Sequence, residues 1–95
     1  MNREEALHAL NHEVARLRGR THAELSAFVD TPGHFEHIGK FGQTYQVEVG
    51  AAWDDKPGQV LRLFFSVDDG GIRAYLPVTK CGLVPLGGTF DGEVG

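Results

Sequence analysis

The strongest constraint on the fold is a change in the spacing of apolar residues near Tyr45. Before this point apolar residues recur at intervals of three and four, the period of a helix; after it they alternate with other residues, the period of a strand. The alternating part contains three runs, over residues 45–49, 60–67 and 72–76. Three strands joined by short turns form an antiparallel meander. The pattern therefore predicts helices first and a sheet afterwards, which is an α+β arrangement.

The turns test this interpretation, because directly opposed residues on antiparallel strands point to the same face of the sheet. The first two strands carry core residues at odd positions, so their turn needs an odd number of residues, and Asp54–Gly58 has five. The third strand carries core residues at even positions, so its turn needs an even number. Either Asp69-Gly70 or all of 68–71 (DDGG) satisfies this requirement, and Asp-Gly is favoured in tight hairpin turns.

The segment before the alternation predicts one long and one short helix. Asn2 and Glu5 have the spacing of a capping box, and Gly19 follows the last position of an apolar stripe, where a helix commonly ends. Thr21 and Glu24 repeat the capping-box spacing before the shorter helix. Both helices are expected to pack on one face of the sheet.

A single domain is predicted, because 95 residues support one hydrophobic core and not two. Its expected parts are helices over about 2–30, a loop over about 31–43 with at most a short extended piece, and a sheet of three to four strands over about 44–94. Within the last range, Leu83 to Phe90 is expected to add a short strand or hairpin, and Trp53, at the end of a strand, is expected to cap the edge of the core. The expected core comprises Leu7, Leu10, Val14, Leu17, Val47, Val49, Leu61, Leu63, Phe65, Val67, Ile72, Ala74 and Leu76.

Composition argues against several classes of partner. The net charge is −4, and the clustered cations Arg16, Arg18 and Arg20 lie where a helix ends and complement its dipole, so we expect no nucleic-acid partner. No apolar run approaches the roughly 18–20 residues of a membrane span, and the charged N-terminus does not resemble a signal peptide. Cys81 is the single cysteine and cannot form an internal disulfide. We expect a cytoplasmic protein without a membrane partner.

Two aspartate pairs, Asp54-Asp55 and Asp68-Asp69, raise the question of catalysis. Successive turns of a meander lie at opposite ends of the sheet, which separates the pairs by about 30 Å, whereas the ions of a two-metal site lie about 4 Å apart. Turn chemistry explains each pair. The sequence carries no nucleophile elbow, phosphate-binding loop or dinucleotide fingerprint. We therefore predict no catalytic residue and no cofactor.

Histidines form a second set of candidates. His8 and His12 have an i, i+4 spacing that can bind zinc, but they lie opposite the apolar stripe and nothing nearby in sequence completes the ligand set, so no metal site is predicted. His34, Glu36 and His37 lie in the glycine-flanked segment 32–42. Because long loops often carry function, these three residues form the alternative hypothesis, a small-molecule-binding or enzymatic site.

The second face of the sheet carries the leading hypothesis. With Asp69-Gly70 as the turn, Phe64 pairs with Tyr75, Ser66 pairs with Arg73, and Glu48 lies opposite Phe64. Aromatic residues flanked by arginines are typical of interface centres, although Phe64 and Tyr75 could instead stabilise the hairpin alone. We expect a non-catalytic protein–protein interaction or adaptor module that binds another protein or itself, as a homodimer. The expected contact residues are Glu48, Arg62, Phe64, Arg73 and Tyr75.

Overall fold

The computed structural model describes residues 3–68 and 78–95. Its helices are α1 (Arg3–Leu17), α2 (His22–Leu25) and a 3₁₀ helix (Ser26–Val29), and its strands are β1 (Gly33–Ile38), β2 (Thr44–Trp53), β3 (Leu61–Asp68) and β4 (Val78–Val84). The strands form one antiparallel sheet in the order β1-β2-β3-β4. The predicted α+β meander with one long and one short N-terminal helix is confirmed.

The start of α2 and the end of α1 have the causes that the sequence suggests. Thr21 and Glu24 form a complete capping box at the start of α2. Gly19 follows α1 with a φ of 88°, a left-handed conformation that favours glycine after a helix. Asn2, the predicted cap of α1, lies outside the described residues.

The core lies between α1 and the face of the sheet that carries the odd-numbered residues of β2 and β3. Of the predicted core, Leu7 is partly buried, and Ile72, Ala74 and Leu76 lie outside the described residues. The other predicted residues are buried: Leu10, Val14, Leu17, Val47, Val49, Leu61, Leu63, Phe65 and Val67.

Trp53 is partly buried at the end of β2 and packs against the core. Its ring lies 5.6 Å from that of His22, which is buried in turn. The Nε2 atom of His22 is 2.6 Å from the backbone oxygen of Gln59. This contact ties α2 to the connection between β2 and β3.

Residues 33–38 form a strand paired with β2, whereas the sequence analysis predicted a loop over 31–43 with at most a short extended piece. Half-buried and exposed residues alternate along β1, with Phe35 and His37 facing α1. A histidine at an inward position conceals the apolar period, and glycines flank the segment. The partner of His37 is Glu13 on α1, and no local sequence pattern indicates this contact.

The predicted register between strands is wrong. Phe64 pairs with Cys81 and Ser66 with Thr79, in place of Tyr75 and Arg73. The predicted third strand over 72–76 lies outside the described residues, and the strand that pairs with β3 is β4.

The predicted pairing of β2 with β3 is also shifted. Glu48 lies opposite Ser66, and Gly50 lies opposite Phe64. Pairing ends at Trp53 and Leu61, so the connection spans 54–60 and is longer than the predicted turn. Both lengths are odd, so each side chain still faces the predicted side of the sheet.

The C-terminal residues cover the outer edge of β4. Phe90 is buried, and its ring stacks on that of Phe65 with centroids 5.9 Å apart. Cys81 and Gly95 exchange two backbone hydrogen bonds of 3.0 and 2.9 Å. The opposite edge of the sheet is formed by β1.

Candidate functional site

Glu13, in the second half of α1, is 3% exposed and lies at the centre of a polar cluster. The Nε2–H group of His37 donates to its Oε2 atom at 2.7 Å, and Nδ1 of His12 lies 3.3 Å from the same oxygen. Arg16 donates from Nε to the other oxygen, Oε1, at 2.7 Å. We call His12, Glu13 and His37 the His–Glu cluster; it joins α1 to β1.

Two opposing effects act on the pKa of Glu13. Burial raises this pKa, while hydrogen bonds from His37, Arg16 and His12 and the positive charge of Arg16 lower it, and the net result lies below the ordinary value of 4.5. The guanidinium of Arg16 also lies 4.2 Å from the centre of the Phe35 ring, a cation–π contact that holds it in place. The carboxylate is therefore ionised and fixed in orientation.

A cleft of about 680 Å³ adjoins the cluster, between the first half of α1 and the β1–β2 hairpin. Two contacts to Glu5 join its walls: the hydroxyl of Tyr45 donates at 2.8 Å, and the backbone N–H of Lys40 donates at 3.0 Å. The lining residues are Glu4, Glu5, His8, Ala9, His37, Ile38, Gly39, Lys40, Phe41 and Tyr45. This volume falls in the range of known ligand sites.

Two large apolar residues adjoin this cleft, Ile38 at an outward-facing position of β1 and Phe41 in the turn that follows. Ile38 is 77% exposed and Phe41 is 85% exposed, at the end of β1 and in the turn that follows. The turn closes with the backbone N–H of Gly39 donating to the oxygen of Gln43 at 2.8 Å, and it includes Gly42 with a φ of 84°. We call Ile38, Phe41 and the adjoining outer edge of β1 the hairpin surface.

The residues of the leading hypothesis lie on the opposite face of the sheet. Glu48, Arg62 and Phe64 all point to this outer face, where Phe64 is half-buried between Gly50 and Cys81. The guanidinium of Arg62 forms an ion pair with Asp54. The remaining predicted contact residues, Arg73 and Tyr75, lie outside the described residues.

The residues of the alternative hypothesis are divided between the two faces. Glu36 accepts a hydrogen bond of 2.9 Å from Gln46 on the outer face, and His34 lies opposite Glu48 on that face. His37 points the other way, into the His–Glu cluster. His37 alone of the three therefore belongs to the site described here.

The sequence analysis placed His12 with His8, opposite the apolar stripe of α1, and His37 in the segment 32–42, and it did not consider Glu13. One signal was present: Glu13 occupies the same stripe as Leu10, Val14 and Leu17, at spacings of three, one and four. A carboxylate at a core-facing helix position needs buried partners. That signal shows that a partner exists but does not identify His37 as the partner.

Comparison with known proteins supplies no relative: no family model, no curated protein and no solved structure matches the chain. Among the residues that the structure describes, no helix is long and apolar enough to cross a membrane. Any functional assignment therefore depends on the geometry of the sites themselves.

Proposed function

We propose that this protein is a non-catalytic protein-interaction module that binds an extended segment of a partner protein at the hairpin surface. The observation that carries the proposal is the exposure of Ile38 and Phe41, at 77% and 85%, beside a cleft. Side chains this exposed cannot enclose a small ligand. They are suited to packing against another protein, where aromatic residues often contribute most of the binding energy.

The outer edge of β1 supports binding of an extended segment. The backbone N–H of Gly39 donates to the oxygen of Gln43, so these two residues form a hydrogen-bonded pair between the strands. In an antiparallel ladder such pairs alternate with pairs whose backbone N–H and C=O groups point away from the neighbouring strand. The backbone groups of His34, Glu36 and Ile38 therefore point away from β2. Within residues 3–68 and 78–95, no strand pairs with this edge. An added strand would satisfy these backbone groups, a common mode of peptide recognition.

The cleft favours a partner segment with a basic side chain next to its apolar residues. Glu4 is exposed on α1 and lines the cleft, together with Glu5 and His8. A lysine or arginine of the partner that enters beside Phe41 would meet the carboxylate of Glu4. The net charge of −4 favours the approach of a basic segment.

Selection from a random peptide library tests this proposal, with counter-selection against an Ile38→Ser, Phe41→Ser variant. Leu86→Ser is the matched control, because Leu86 is also an exposed apolar residue (58%) and lies after β4. Selected peptides are expected to carry a basic residue and to bind the double variant at least about 10-fold more weakly, whereas Leu86→Ser leaves the Kd unchanged. Equal binding to all three proteins would contradict the proposal.

Self-association through the outer face is the second candidate function. The half-buried Phe64 and the 51% exposed Leu83 lie on this face, and no described helix covers it. A two-fold axis would bring the face against its own copy. Sedimentation of the native protein and a Phe64→Ser, Tyr75→Ser variant tests it. A dimer that the substitutions dissociate supports this candidate, and a native monomer rejects it.

The proposal includes a cytoplasmic location. The support is Cys81, a free and half-buried thiol, since reducing compartments preserve such thiols. Fractionation of native cells tests it: recovery outside the cytoplasm would contradict this part of the proposal.

A further inference from the structure

We propose that the His–Glu cluster binds one divalent transition-metal ion, with Zn²⁺ as its closest match. The side chains of His12, Glu13 and His37 each offer one ligand atom, and these atoms lie within 4.8 Å of one another. They come from two elements, α1 and β1, that the core holds together. The site does not depend on the hairpin surface having a partner, so the two proposals can fail separately.

The two distances from the histidine nitrogens to Oε2 of Glu13 are close to those between neighbouring ligand atoms of a bound zinc ion. Zinc ligands lie about 2.0–2.2 Å from the metal, so neighbouring ligand atoms of a tetrahedron are about 3.3 Å apart. Nδ1 of His12 already lies 3.3 Å from Oε2 of Glu13, and Nε2 of His37 lies 2.7 Å from it. Admitting the ion therefore requires His37 to withdraw from Oε2 by about 0.6 Å. It also requires Nε2 of His37 to release to solvent the proton that it donates to Glu13, because a ligating imidazole nitrogen carries no proton. The His12 side chain is 59% exposed, which leaves it free to turn towards the ion.

The types of ligand favour a transition metal over Ca²⁺ or Mg²⁺. Two imidazoles and one carboxylate suit Zn²⁺, Co²⁺ or Ni²⁺, whereas Ca²⁺ and Mg²⁺ prefer sets made only of oxygen. Arg16 holds Oε1 of Glu13 and leaves Oε2 directed at the histidines. Hydrogen bonds of this kind, outside the ligand set, commonly orient a ligating carboxylate.

The cluster supplies three protein ligands and leaves a fourth position open. Because the His12 side chain is exposed, water can reach the open position of the metal. Because His37 also lines the cleft, the metal site lies at the end of the cleft. Three protein ligands with one open position are typical of zinc sites that accept water or another small ligand.

Titration with Co²⁺, followed by its visible absorption, and calorimetry with Zn²⁺ test the proposal. One equivalent of each ion is expected to bind, with the intense bands of four-coordinate Co²⁺. His12→Ala and His37→Ala are expected to weaken binding by at least about 10-fold. His34→Ala is the matched control: His34 lies on the same strand but faces the opposite side of the sheet, so its removal leaves affinity unchanged.

A surface pair, His8 and His12, is the competing explanation for metal binding, since their i, i+4 spacing can itself bind an ion. Comparing His8→Ala with His37→Ala separates the two sites, because His12 belongs to both. Binding lost in His37→Ala and retained in His8→Ala supports the proposed cluster. The reverse result, or no saturable binding by the native protein, overturns it. Circular dichroism of each variant verifies folding, and the exposed His12 provides a substitution that leaves the core intact.

Discussion

Replacing Gly82 with alanine is expected to destabilise the fold by about 1–3 kcal/mol, the usual cost of overpacking a core. Gly82 is buried on β4, and an added Cβ would lie 2.8 Å from the backbone oxygen of Glu93 and 2.9 Å from the Phe90 ring. A third contact, to Cγ1 of Val94, would be 3.2 Å. A backbone oxygen cannot yield as a flexible side chain does, so the C-terminal segment would have to move away from β4.

Gly50→Ala is the matched control, because Gly50 also lies within a strand and an added Cβ there would meet nothing within 4 Å. Alanine reduces the conformational entropy of the unfolded chain and causes no strain in the folded one, so we expect the free energy of unfolding to rise by about 0.4–1 kcal/mol. Urea denaturation with unchanged m-values measures both differences. For a domain of this size, 1 kcal/mol corresponds to a Tm shift of about 4–8 °C. Equal effects at the two glycines would refute the packing of the C-terminal segment against β4.

Three further predictions concern polar contacts. Glu13→Gln is expected to lower the free energy of unfolding by about 1–3 kcal/mol, because it weakens charge-assisted hydrogen bonds at a buried group. Urea denaturation in the presence of a metal chelator measures this change, and a midpoint equal to that of the native protein would contradict it. The pKa of Glu13 is lowered in the folded state, so its contribution to stability is complete above pH 4.5 and declines as the pH falls through the lower folded-state pKa. The difference in unfolding free energy between the native protein and Glu13→Gln should therefore shrink in acid. A difference that grows in acid would contradict the lowered pKa. Thr21→Ala removes the hydroxyl that accepts a hydrogen bond of 3.1 Å from the backbone N–H of Glu24. We expect the free energy of unfolding to fall by about 0.5–2 kcal/mol, measured by thermal unfolding, and an unchanged Tm would show that the cap is dispensable.

Short-range patterns predict much of the fold because they depend on periods that each element imposes on its own residues. The alternation along β2 and β3 fixes which side chains face the core, and an error of two residues in register leaves that assignment unchanged. The alternation does not fix which residues pair across the two strands. A turn of five residues and a turn of seven residues leave the same side chains facing the core, so the pattern fits both. Along β4, Lys80 and Gly82 interrupt the apolar positions, so no period is visible there.

The His–Glu cluster was not predicted because it depends on packing between distant segments. His37 and Glu13 are 24 residues apart, and they meet only because α1 crosses the inner face of the sheet. The spacing of Glu13 within the apolar stripe indicates a buried carboxylate, but tertiary structure alone selects its partners. The hairpin surface was missed for a related reason: the segment containing Ile38 has no visible apolar period.

A photo-crosslinking amino acid placed singly at positions 41, 64 and 86 in native cells tests the location of the contact surface most directly. Phe41 belongs to the hairpin surface, Phe64 to the outer face, and Leu86 is an exposed control. We predict a discrete crosslinked partner at position 41 that disappears when Ile38→Ser is added, with background only at positions 64 and 86. Crosslinking at position 64, to a partner or to a second copy, with none at position 41 would contradict the proposed surface.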